Sequence, residues 1–317
     1  MKVSDIEFSS ADHVISEVRN MNVKGGSPFG RAAAWAYKLA CEQEPLPSGE
    51  ALQARIEQIG SALAALKPTM ATIHNTGMLV QKLLRAQQDA PLQRKKDEIC
   101  ALSERVIEQS LRAVETLGEY GAALIDDGAV VMMHSYSSTL MSVFEKAAAA
   151  GKKFRVISTE SRPLRESRLA VRILQSCHVP VTYITDAEIW EFLPEATLVI
   201  MGADSIAWDG SVSNKMGTAM IAQLAQVCKK PVYIASELFK LDTRTRFGYN
   251  IVLERRTSDE ILSPGDLQST NGVDVVNQFF DLTPANQIRG LITEFGVISP
   301  AMVSLYWERL EQELLNA

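Results

Sequence analysis

Thr197 to Lys215 reads TLVIMGADSIAWDGSVSNK, and Leu198, Val199, Ile200 and Met201 make an unbroken apolar run at its start. A run with no polar alternation is the pattern of a strand covered on both faces, as in a parallel sheet. Asp204 falls just past the carboxyl end of that strand, and Asp209-Gly210 signals a turn. Gly217 to Ala225 then reads as a helix whose first turn lies close to Asn214 and Lys215. Ligands of open parallel sheets bind at the carboxyl ends of strands. A carboxylate and an ammonium at one strand mouth therefore point to a polar ligand. Taken singly, each has a blander role, because an Asp commonly caps a turn and a Lys is commonly solvated.

Working outward, short apolar strands alternate with helical segments from Gly118 onward. The strands are expected at Ala129 to Met133, Phe154 to Ser158, Val179 to Ile184, Leu198 to Met201, Pro231 to Ala235 and Ile288 to Thr293. Between them Thr139 to Ala150, Arg165 to Ser176 and Met216 to Val227 are long enough for right-handed crossovers. That rhythm predicts an α/β fold, a Rossmann-like doubly wound parallel sheet over residues 119–317 carrying most of the ligand site. Asp242 to Asn277 is charged and turn-rich, with a short strand candidate near Val252, and reads as an excursion before the last strand. Upstream, residues 1–118 show apolar residues at helical spacing, in Ala32 to Ala40, Ala51 to Leu66, Thr76 to Ala86 and Ile99 to Leu117, and predict a helical domain. Its breaks carry Lys24-Gly25-Gly26-Ser27-Pro28 and Lys67-Pro68-Thr69, so two of the turns bring a lysine. The closing helix, Ala301 to Leu315, is amphipathic and suits a core or an oligomer contact, core packing being the default.

The chain has 317 residues, enough for about two domains. With 46% hydrophobic and 22% charged residues its balance is that of a soluble globular protein. A net charge of -6 argues against a nucleic-acid partner. Cys41, Cys100, Cys177 and Cys228 form no close pair, His13, His74, His134 and His178 form no metal-ligand motif, and no apolar run is long enough to span a bilayer. Nothing at the amino terminus has the basic, apolar and small-residue regions of a signal peptide. A cytoplasmic protein without metal, cofactor or membrane segment is expected.

The strand ends bring together Ser135-Tyr136-Ser137, Glu160-Ser161-Arg162, Asp204, Asn214-Lys215 and Glu237 to Lys240. Hydroxyls and backbone N–H groups at a helix start hold phosphate oxygens, lysine supplies charge, and carboxylate or Asn binds sugar hydroxyls. An anionic polyhydroxylated ligand fits that set.

Eight motifs then occur in order: VKGGSPFGRAAA at Val23 to Ala34, KPTMATIHN at Lys67 to Asn75, MHSYS at Met133 to Ser137, TESRP at Thr159 to Pro163, GADSI at Gly202 to Ile206, NKMGT at Asn214 to Thr218, ELFK at Glu237 to Lys240 and FDLTP at Phe280 to Pro284. Through them nearly the whole chain resembles the family that joins the regulatory subunits of translation initiation factor 2B with ribose-1,5-bisphosphate isomerase and methylthioribose-1-phosphate isomerase. The resemblance implies phosphate-binding turns at Lys24, Gly25, Gly26 and Lys67, where the isomerases carry arginine. The exchange keeps charge but loses the bidentate fork. It also implies substrate contacts from Ser137, Arg162, Asn214, Lys215 and Lys240, a homodimer or higher assembly, and catalysis by Asp204 with a cysteine. Ser135 stands where that cysteine falls, and a hydroxyl is a far weaker acid than a thiol of pKa about 8.5. His134 is the nearest candidate base in sequence, although strand neighbours point to opposite faces and a buried structural His is at least as common. The HSYS form is similar to the initiation-factor subunits, whereas the aspartate of GADS is similar to the isomerases. Two readings follow: a sugar-phosphate isomerase turning an aldose 1-phosphate into a ketose 1-phosphate, and a non-catalytic subunit that binds a sugar phosphate or nucleotide and acts through assembly, in one form by contacting a translation GTPase.

Overall fold

The computed structural model describes residues 6–23 and 25–316. They fold as two compact units. A helical unit takes its described residues from Met1–Ala113, Leu238–Tyr249 and Ser304–Ala317, and a sheet unit takes Val114–Glu237 and Asn250–Val303.

In the helical unit α1 (Ala11–Arg19), α2 (Gly26–Gln43), α3 (Gly49–Leu66) and α4 (Ala71–Ala86) precede the long α5 (Leu92–Ala123), which supplies residues to both units. Ser10 and Ser48 start α1 and α3 by accepting hydrogen bonds from His13 N and Ala51 N, which satisfies amides that have no partner inside the helix. The Gly-Gly-Ser-Pro stretch expected as a break is the start of α2: Gly25 adopts φ +94° before the first turn, and Pro28 sits within it. An early Pro forfeits no internal helix bond there. The alanine-rich face of α2 is buried, and a Cβ on Gly30 would lie 2.8 Å from Thr72 Cβ, so α2 and α4 leave no room for a side chain.

Two later segments join these helices for visible reasons. Asn75 Nδ2 donates to Phe239 O at 2.9 Å and Leu241 O at 2.7 Å, which clamps the short 3-10 turn Leu238–Lys240 against α4. Trp307 packs on Phe239 with ring centroids 5.9 Å apart. The closing helix, observed as Val303–Asn316, buries Trp307, Leu310 and Leu314 in this unit and so serves as core.

In the sheet unit the strands are β1 (Val130–Met133), β2 (Arg155–Thr159), β3 (Val181–Ile184), β4 (Leu198–Met201), β5 (Ser205–Ile206), β6 (Val212–Lys215), β7 (Val232–Ala235), β8 (Arg255–Arg256), β9 (Asn277–Gln278), β10 (Phe280–Thr283), β11 (Gly290–Thr293) and β12 (Gly296–Ile298). Among the described residues the main sheet has seven strands in the order β12-β11-β7-β4-β1-β2-β3, all parallel except the β11–β12 hairpin. The helices α6 (Ser138–Ala149), α7 (Ser167–Ser176), the single turn α8 (Ile189–Phe192) and α9 (Thr218–Val227) fall between strands, and α10 is the closing helix already described. Every residue of β4 is buried, as its unbroken apolar run predicts. The core runs from Leu117 through Val131, Phe144, Val156 and Ile200 to Ile292.

Four strands depart from the expectation. Asn214 and Lys215 lie beside the first turn of α9, but as the last residues of β6, in a small antiparallel sheet of order β10-β6-β5. The strand expected near Val252 is instead β8, paired antiparallel with β9. β10 and β12 had no apolar run to announce them. They form because their neighbours offer a hydrogen-bonding edge, a tertiary effect that outweighs local propensity.

Gly210, in the β5–β6 turn, has φ +84°, and a Cβ there would come within 2.7 Å of the Pro300 carbonyl carbon. Left-handed strain and overpacking cost about 1–3 kcal/mol each. Gly210→Ala is therefore expected to shift the urea midpoint sharply downward, whereas Gly151→Ala, at φ +78° with open space around it, carries the backbone term alone; equal losses would refute the packing argument.

Candidate functional site

The polar set at the carboxyl edge of the main sheet begins where β1 ends. His134 is 2% exposed. Its Nε2 lies 2.9 Å from Met216 O, a pure acceptor, so Nε2 carries the hydrogen and Nδ1 accepts from Thr159 Oγ1 at 2.6 Å. Burial, the largest influence, holds its pKa below the usual imidazole value, in keeping with a neutral ring. Both nitrogens are occupied by structural bonds. Among the described residues no base is hydrogen-bonded to Ser135 Oγ. The His134 candidacy as a base for Ser135 is thereby corrected: the ring fastens β1 to β2 and to the start of α9.

Ser135 itself has φ +66° and donates its N–H to Ser161 Oγ at 2.7 Å. Ser161 Oγ also meets Ser167 Oγ at 2.7 Å, so a chain of buried hydroxyls ties the ends of β1 and β2 to α7. Asp186 accepts from the N–H groups of Ser161 and Arg162 at 2.9 and 2.8 Å. The Arg162 guanidinium donates to the carbonyls of Pro163 and Ile261, both at 3.2 Å, and keeps further N–H donors.

Ser137 caps α6 by position, and its Oγ lies 2.7 Å from Thr139 Oγ1. Thr139 gives its own hydrogen to Ala235 O, so Ser137 is the donor of that pair. A Cβ on Gly202 would fall 2.5 Å from Ser137 Cβ and 4.0 Å from Asn214 Oδ1. Glycine after β4 is what lets these two polar side chains approach.

Asp204 follows, half-buried, with its N–H bonded to Ser213 O at 3.0 Å. Lys215 is 3% exposed. Its Nζ meets Glu166 Oε1 at 2.5 Å and stands 3.4 Å from the centre of the Phe279 ring. Burial lowers its pKa from 10.5; Glu166 and then Asp204 oppose that fall as nearby anions. Glu166 Oε2 is buried without a hydrogen-bond partner among the described residues. The Arg256 guanidinium covers the same Phe279 ring at 4.3 Å. Asn214 Nδ2 donates to Thr218 Oγ1 at 2.9 Å. The structure thus places Ser135, Ser137, Asp204, Asn214 and Lys215 at one sheet edge, with Arg162 turned to the loop beside it.

Gly25, Gly26, Lys67 and Lys240 belong to the helical unit. Gly25 and Gly26 open α2, and Gly26 O accepts from Thr72 Oγ1 at 2.7 Å. Lys67 ends α3, its Nζ 2.7 Å from Met21 Sδ and 5.5 Å from the Phe29 ring centre. Lys240 is 4% exposed in the turn that Asn75 clamps. Lys24 lies outside the described residues. Among the described residues no cluster of His, Cys, Asp or Glu suits a metal ion, and no helix is long and apolar enough to cross a membrane.

Sequence reasoning missed Glu166, Phe279 and Asp281. Glu166 lies three residues past the TESRP motif, in a charged stretch that carries no spacing signal. Asp281 lies within FDLTP, and its Oδ2 accepts from Gly217 N at 2.7 Å and Ala219 N at 3.1 Å, capping α9 from β10. A carboxylate at a helix amino end is stabilised by the orphan amides and the helix dipole.

A model of the Initiation factor 2 subunit family matches residues 22–300, and the chain belongs to that family. Among its relatives, ribose 1,5-bisphosphate isomerase of Thermococcus kodakarensis is 31% identical over 90% of this chain and 90% of that protein. Methylthioribose-1-phosphate isomerase of Nitratidesulfovibrio vulgaris is 32% identical over 93% of this chain and 88% of that protein. The crystal structure of translation initiation factor eIF-2B from Pyrococcus horikoshii OT3 superimposes with a TM-score of 0.77 at 29% identity, covering 92% of this chain and 97% of that one.

Burial pushes the Asp281 carboxyl from 3.8 up to about 6, against the pull of its backbone N–H bonds. The folded chain then binds this proton more tightly than the unfolded chain, so the contribution favours folding below pH 4 and is lost as pH rises through 6. Asp281→Asn keeps an acceptor for Gly217 and Ala219 but cannot ionise. It is expected to flatten the stability slope between pH 4 and 6 by up to about 3 kcal/mol, measured by urea unfolding; an unchanged slope would remove Asp281 from the pH dependence.

Proposed function

We propose that the chain is a sugar-phosphate isomerase that converts an aldose 1-phosphate into a ketose 1-phosphate, with ribose 1,5-bisphosphate the substrate to try first. The observation that carries this reading is Asp204 beside a desolvated, ion-paired Lys215 at the exits of β4 and β6. A buried ion pair adds little net stability over apolar packing, so stability alone does not account for an ammonium at that point. The relatives named as isomerases support the reaction class.

The reaction breaks the bond between C1 and the ring oxygen, which takes a proton. One hydrogen leaves C2, one joins C1, and the C2 hydroxyl gives up its proton as the ketone forms. A positioned acid-base group is worth roughly two to four powers of ten in such transfers, and Asp204 has that role here. Ser135 or a water beside it takes the place of the thiol. The substrate-binding roles of Gly25, Gly26, Lys24, Lys67 and Lys240, and those of Ser137, Arg162, Asn214 and Lys215, belong to the same proposal. So does the reading of the β3-β2-β1-β4-β7-β11 order as a Rossmann-like doubly wound sheet, with the site where the order reverses. We place the protein in the cytoplasm as a homodimer or larger homo-oligomer.

One observation favours the second reading, a non-catalytic eIF-2B-like subunit that binds a sugar phosphate or nucleotide: Ser135 has no histidine to activate it, because His134 is committed on both nitrogens.

Phosphorus and proton NMR of ribose 1,5-bisphosphate with the purified chain decides between them. Ketose formation that Asp204→Asn slows about 100-fold or more, with binding kept, supports the isomerase. Ser135→Cys is expected to raise the rate. No product from either the wild-type chain or Ser135→Cys, alongside saturable binding, would favour the subunit.

A further inference from the structure

Tyr37, on α2, is 1% exposed, yet its hydroxyl has no hydrogen-bond partner among the described residues. The hydroxyl oxygen is not sealed off: it reaches the open space beside it, where water or a ligand can take its hydrogen. The oxygen emerges between α3 and α4 at two glycines. A Cβ on Gly60 would come within 2.9 Å of it, and one on Gly77 within 3.0 Å. Both glycines line a cavity of about 300 Å³, together with Ile56, Ala64, Ile73, His74 and Gln81. That volume is at the lower end of small-molecule sites.

Of the five polar side chains at this cavity, Tyr37, Ser61, His74 and Gln81 can donate, and the Glu57 carboxylate only accepts. Gln81 Oε1 already accepts from Gln53 Nε2 at 2.9 Å, leaving the Gln81 amide hydrogens. His74 Nε2 is 2.7 Å from Arg244 NH1, a donor, and 3.3 Å from Pro68 O, an acceptor; the shorter contact makes Nε2 the acceptor, so the neutral ring carries its hydrogen on Nδ1. Burial and then Arg244 hold the His74 pKa below its usual value. Glu57, also at the wall, disfavours an anion. We propose that this cavity is a binding site for a small uncharged aromatic molecule bearing an accepting oxygen, which takes the Tyr37 O–H while its ring lies against Ile56 and Ile73. None of the lining residues belongs to the proposed isomerase site, so the two readings stand or fall separately.

Benzamide is the probe, titrated into the isoleucine-methyl-labelled full chain and followed by proton–carbon NMR. A saturable shift confined to the Ile56 and Ile73 methyls is expected, with a Kd of about 1 mM for a molecule of this size. Tyr37→Phe is expected to weaken it about 3–10-fold without lowering the melting temperature, since it removes a partnerless hydroxyl. Benzene, which lacks the oxygen, is expected to bind the wild-type and Tyr37→Phe chains alike. No saturable shift up to about 20 mM, shifts spread over the chain, or equal benzamide affinity in Tyr37→Phe would each overturn the proposal; water alone would then fill the cavity.

Discussion

An ammonium taken out of water must be paired, and at the end of β6 that requirement organises the edge of the sheet. Lys215 is met by the Glu166 carboxylate and by the face of Phe279, with Asp204 as a further nearby anion. Breaking such a pair by removing one partner leaves an uncompensated buried charge, which costs far more than an exposed pair contributes. The surrounding fold holds that cluster in register. β10 fixes β6 across four residue pairs, and Asp281 on β10 anchors the first turn of α9. A lysine so placed has donors left for a ligand after Glu166 has taken one.

The same edge shows how a recognisable motif divides between scaffold and site. His134 stands next to Ser135 in sequence, but its ring is locked between Thr159 and Met216. Gly217, with φ +109°, follows from that ring: a Cβ there would come within 3.0 Å of His134 Nε2. Asn75 is likewise structural. Its two amide hydrogens and its oxygen are taken by Phe239, Leu241 and Thr243, and it shapes the turn bearing Lys240. Motif residues that contact only their own chain fix, through these bonds, where the charged groups beside them stand.

Much of this was legible in the sequence, for physical reasons that differ by element. β4 was plain because Leu198 to Met201 has no polar residue and both its faces are covered. α3 and α4 were plain from their 3.6-residue periodicity. The strand β6 was not, since Val212-Ser213-Asn214-Lys215 has neither apolar run nor β-branched character beyond Val212; it is a strand because β5 and β10 flank it. Asp204 and Lys215 were legible as site candidates from their place after an apolar strand. Glu166 was not, because it reaches Lys215 across 49 residues of chain, and separation of that kind leaves no local pattern. The return of Leu238–Tyr249 to the helical unit was hidden for the same reason, since it rests on residues distant in sequence, among them Asn75, His74, Pro68 and Trp307.

The central claim is that the Lys215 ammonium, with Asp204 beside it, receives a phosphorylated sugar. Calorimetric titration of ribose 1,5-bisphosphate into the wild-type chain and Lys215→Met, with Glu166→Gln as a control for the broken ion pair, tests it directly. The account predicts saturable binding that Lys215→Met weakens by about tenfold or more, as expected for loss of a charge-assisted bond, while Glu166→Gln, which frees the ammonium, keeps it. Equal affinity in the wild-type chain and a folded Lys215→Met chain would contradict it.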